Sequence, residues 1–105
     1  MSKPGNYEWM TEKFPAAMKA HQDFGKALQN SGPIDAKTAQ LIQLGAAASN
    51  RSEGAVHSHV KRALAAGAAA DEIYHALMLL ASTIGFPATA ASITWARDVI
   101  EKDTP

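Results

Sequence analysis

The stretch Asn50-Arg51-Ser52-Glu53-Gly54-Ala55-Val56-His57-Ser58-His59-Val60-Lys61-Arg62-Ala63-Leu64-Ala65-Ala66-Gly67 sets the architecture. Val56, Val60, Ala63 and Leu64 recur at three- and four-residue intervals, the spacing of one helix face turned to a core. Asn50 followed three residues later by Glu53 has the form of a capping box, which predicts a helix start at Asn50. Lys61 and Arg62 sit near the far end, where positive charge suits the helix dipole, and Gly67 supplies the stop.

The flanking sequence gives more of the same. Asp35 is a good N-cap for a preceding helix that carries Leu41, Ile42, Leu44 and Ala48. Upstream, Pro15 suits a first turn, and Phe14, Ala17, Met18, His21, Phe24 and Leu28 share one stripe of a helix over 14–29. Ser31-Gly32-Pro33 ends it. Residues 1–11 read as an arm: Pro4 and Gly5 break structure, while Tyr7, Trp9 and Met10 are apolar enough to seek a neighbour. Downstream, a helix over 70–83 is apolar on nearly every side, as a central or interface helix would be. After the break at Gly85-Phe86-Pro87, a last helix carries Ile93, Trp95, Ala96, Val99 and Ile100. No stretch alternates as a strand does, and there is no internal repeat. The predicted fold is all-α, a bundle of five or six helices in a single domain over residues 1–105.

Ten Lys and Arg balance ten Asp and Glu. A neutral chain argues against nucleic acid, which is held by neutralising phosphates, and against a polybasic membrane patch. No apolar run approaches the ~20 residues of a membrane span. Nothing at the N-terminus resembles a signal peptide, so the cytoplasm is the expected location. The chain has no cysteine. Its 47% apolar share is ordinary for a globular protein. Much of that share is alanine, which contributes little buried area, so the core is expected to be completed by copies of the same chain.

Four histidines carry potential chemistry: His21, His57, His59 and His75. His57 and His59 are two apart and point roughly 200° from each other on a helix, which does not suit a shared metal. No metal and no cofactor is expected. His21 and His75 read as ordinary partly buried residues. Ser52, Ala55 and His59 are spaced to form one strip beside Val56 and Val60, with small neighbours around the imidazole.

From Asp35 onward the chain resembles the carboxymuconolactone decarboxylase and alkylhydroperoxidase D-like family. The resemblance is carried by Asp35-Ala-Lys-Thr-Ala-Gln-Leu-Ile, by Asn50-Arg-Ser-Glu-Gly-Ala-Val-His-Ser-His, by Ala63-Leu-Ala-Ala-Gly-Ala-Ala-Ala-Asp-Glu-Ile and by Ile84-Gly-Phe-Pro-Ala. It implies an all-helical fold of the alkylhydroperoxidase D-like type that assembles as a homo-oligomer, a trimer or a hexamer. The family's peroxidase branch uses two cysteines, a histidine and a glutamate as a thiol relay. On this chain those positions are Ser52, Ala55, His59 and Gln40, so thiol peroxidase activity is expected to be excluded. The decarboxylase branch works without cysteines. There the resemblance implies catalytic roles for His59 and Arg51, with Ser52, Gln40 and Glu53 around a small organic acid: a cation holds the carboxylate and an acid–base group moves the proton. Two function classes emerge, an acid–base enzyme acting on a small organic acid or lactone, and a non-catalytic module that keeps the fold and binds a ligand or a protein.

Overall fold

The computed structural model describes residues 5–102, which form two compact units divided after Pro33. No strand occurs among the described residues. The all-α expectation therefore holds, with six helices of eight residues or more and one four-residue turn of helix.

The first unit holds α1 (Asn6–Lys13) and α2 (Pro15–Gln29). The expected arm is thus helical from Asn6 onward, while Met1 and Pro4 lie outside the described residues. Glu8 in the first turn and Lys13 in the last complement the dipole of α1. Phe14 is the joint: its backbone leaves helical geometry, and Pro15, with no N–H to lose, starts α2. Gln22 Nε2 donates to Tyr7 Oη at 2.7 Å, and the rings of Trp9 and Phe14 meet edge to face at 6.3 Å. Of the apolar stripe on α2 only Met18 is buried; Phe14, Phe24 and Leu28 are exposed.

The second unit holds α3 (Ala36–Ser49), α4 (Glu53–Ala65), α5 (Ala70–Met78), α6 (Ala81–Ile84) and α7 (Phe86–Ile100). Asp35 caps α3 by accepting the Thr38 N–H at 2.7 Å. Helix α4 packs on both α3 and α7, and Leu44, Val56, Val60, Ala63, Ile73, Leu77 and Ala96 are fully buried there. The single helix expected over 70–83 is interrupted instead. Leu80 N–H and Thr83 N–H bond three residues back, to Leu77 and Leu80, tightening the chain between α5 and α6. The bend brings Leu80 over Gly45 on α3: a Cβ there would lie 3.8 Å from Leu80 Cδ2. Leu80 packs there against the core of the second unit. Helix α5 is also less uniformly apolar than expected, since Asp71, Glu72 and His75 face solvent. Glu72 accepts from Lys37 Nζ at 2.9 Å, linking α5 to α3. Gly85, at φ 93°, turns the chain into α7.

Candidate acid–base site on α3 and α4

The site begins with the turn between α3 and α4. Asn50 is the C-cap of α3, and Arg51 adopts φ 55°, the left-handed region. Arg51 N–H bonds to Ala48 O at 3.0 Å and Ser52 N–H to Ala47 O at 3.1 Å. This pair of bonds is the Schellman motif, whose left-handed position usually holds glycine because a Cβ is strained there. The turn uses up Asn50 and Arg51, so the cap expected at Asn50 falls instead at Ser52. Ser52 Oγ accepts from Ala55 N–H at 3.3 Å, and Glu53 opens α4 as its first residue. Ser52 Oγ acts here as an acceptor, and its hydroxyl also carries a donor hydrogen.

His59 lies two turns into α4 and is partly buried. Its Nδ1 is 2.8 Å from Oε1 of Gln40, a buried side chain on α3. A carboxamide oxygen only accepts, so Nδ1 carries the hydrogen and donates, leaving the Nε2 lone pair free. Burial, and secondarily the charge of Arg62, holds the His59 imidazole below its ordinary pKa. A glutamate at residue 40 would favour imidazolium; the neutral amide of Gln40 orients the ring without doing so.

The expected site residues therefore divide. His59 and Gln40 are in contact, and Gln40, expected around the substrate, is buried and hydrogen-bonded to the imidazole. Arg51 and Ser52 flank the N-terminus of α4. Glu53 is exposed and belongs to a different group, with His57 and Asp98. His57 and His59 do turn to different partners, Asp98 and Gln40. Glu53 and His57 are one helical turn apart, a spacing the sequence displays. Asp98, 41 residues from His57, carried no signal.

The profile of the carboxymuconolactone decarboxylase family matches residues 15–98. The chain belongs to that family. No curated protein and no solved structure gave a significant match. This carboxymuconolactone decarboxylase family member has no cysteine anywhere in its sequence, so no thiolate of its own can act at the α4 N-terminus. Among the described residues no helix is long and apolar enough to cross a membrane.

Proposed function

We propose that this protein is an acid–base enzyme acting on a small organic acid or lactone, with His59 as the proton-transfer group and Arg51 holding the substrate carboxylate. The reading is carried by the Gln40–His59 hydrogen bond, which fixes the ring and leaves Nε2 as an acceptor. The chemistry is base-first. The substrate C–H bond breaks, an N–H bond forms at Nε2, and the electron pair passes into the adjacent carbonyl. The imidazolium then returns its proton to the same or a neighbouring carbon, or to a leaving oxygen.

Arg51 supports the carboxylate role because its backbone occupies a position where glycine would be unstrained. The dipole of α4 adds attraction for an anion at the same end, opposed in part by the exposed Glu53 carboxylate in the first turn. The test is turnover of a panel of small lactones and unsaturated carboxylic acids by the wild type and by His59→Gln. A positioned acid–base group contributes about 10²–10⁴-fold, so His59→Gln should lower kcat/KM by at least about 100-fold with the fold intact. Full activity in His59→Gln would remove His59 from the reaction. Binding without turnover by the wild type would make the protein a ligand-binding module.

We also propose that the chain assembles with copies of itself, as a trimer or a hexamer. Within the second unit, Met78, Leu79 and Phe86 are large apolar side chains left 48–67% exposed. Light scattering at micromolar concentration should give a multiple of the chain mass, and a stable monomer would overturn the proposal.

A further inference from the structure

Among the described residues, one group outside the His59 site brings metal-ligating side chains together: Glu53, His57 and Asp98. Glu53 and His57 stand one turn apart on α4 and so share a face. Asp98 comes from α7, which packs against α4. One donor atom from each lies within 4.8 Å of both others. We propose that Glu53, His57 and Asp98 form a zinc site with three protein ligands, a metal clip between α4 and α7 that leaves one coordination position for water.

The His57–Asp98 distance fits a metal edge as well as it fits a long hydrogen bond. His57 Nε2 and Asp98 Oδ2 are 3.3 Å apart. A tight charge-assisted hydrogen bond would be about 2.7–2.9 Å. Two ligands of a tetrahedral zinc, each about 2.0–2.2 Å from the ion, stand about 3.3–3.5 Å from each other. The pair is therefore already spaced as an edge of such a site, and a carboxylate oxygen of the exposed Glu53 lies within 4.8 Å of both donors. Charge agrees: two carboxylates and a neutral imidazole leave a local charge matched to a divalent ion. Arg97, the sequence neighbour of Asp98, is drawn away to Glu101 at 2.8 Å. An imidazole among oxygen ligands selects zinc-class ions over magnesium and calcium, which take all-oxygen shells.

The site is separate from the proposed catalysis, since it uses none of His59, Gln40 or Arg51, and its test needs no substrate. Protein stripped with a chelator is titrated with zinc chloride by calorimetry and thermal unfolding, and with Co²⁺ by NMR. One ion per chain and a melting temperature raised by several degrees are expected. Paramagnetic Co²⁺ should shift the His57 ring resonances while those of His21 and His75 stay in place. Even outer-shell changes cost metal sites about 10–100-fold in affinity, so Glu53→Gln, His57→Ala and Asp98→Asn should each weaken zinc binding more than tenfold. All three positions lie on the surface or its edge, and circular dichroism verifies that the variants fold. The proposal is overturned if millimolar zinc gives no heat and no thermal shift. It is also overturned if the three variants bind as the wild type does, if Co²⁺ shifts only His21 or His75, or if excess magnesium displaces the zinc.

Discussion

Two turns in the second unit share one hydrogen-bond pattern and place different residues in its left-handed position. After α3, Arg51 N–H bonds to Ala48 O and Ser52 N–H to Ala47 O; after α4, Gly67 N–H bonds to Leu64 O and Ala68 N–H to Ala63 O. Both central residues have positive φ, 55° for Arg51 and 98° for Gly67. The second turn takes the residue that left-handed geometry favours, while the first accepts a strained arginine. The helix starts beyond the two turns differ too. Ser52 caps α4 with its own oxygen, whereas Ala69 has none to offer, and Glu72 reaches back to accept the Ala69 N–H at 2.9 Å. The turn that costs more backbone energy is the one next to the candidate site. The carboxylate role proposed for Arg51 would account for strain that glycine could relieve.

Exchanging the residues tests the contrast. Gly67→Arg places a Cβ at φ 98°, further from the left-handed minimum than Arg51, and open space around the position does not relieve backbone strain. Its expected cost is about 1–2 kcal/mol, the usual left-handed penalty for an L-residue. In a chain of this size that lowers the melting temperature by several degrees. Ser52→Ala tests the cap and should destabilise by about 1 kcal/mol in denaturant unfolding. An unchanged midpoint would mean that water replaces the hydroxyl without loss. Arg51→Gly should change stability least, with a gain of a few tenths up to about 1 kcal/mol, because relieved strain outweighs the added freedom of the unfolded chain. The same variant should raise KM for a carboxylate substrate. If Arg51→Gly is less stable than the wild type, the arginine is held by packing and the contrast between the turns loses its functional meaning.

These turns also mark where sequence reading succeeds and stops. Gly67 announced its turn through residue type, and so did Asp35 as a cap and Pro15 as a helix start. Arg51 announced nothing, since a left-handed arginine looks like any helical arginine in a one-dimensional string. The capping-box pattern at Asn50 and Glu53 then displaced the predicted α4 start by two residues. The break between α5 and α6 was equally silent, since residues 70–83 read as one uninterrupted apolar helix. At the site, His59 and its strip were visible as spacing, and Gln40 entered through family resemblance. The pairing of His57 with Asp98 joins two helices far apart in the chain, and no local pattern encodes it.

The material between α3 and α4 has a consequence for motion at the site. Ala47, Ala48 and Ala63 are buried there beside Leu44, Val56 and Val60. Alanine has no side-chain rotamers, and valine on a helix has essentially one. Apart from Leu44, a contact built from such residues has almost no internal joints, so the two helices should respond to a ligand as rigid plates. The gap between Gln40 and His59 is then set by the backbones. Methyl relaxation in this layer should be uniformly stiff, and any breathing of the site has to come from the chain entering and leaving the pair.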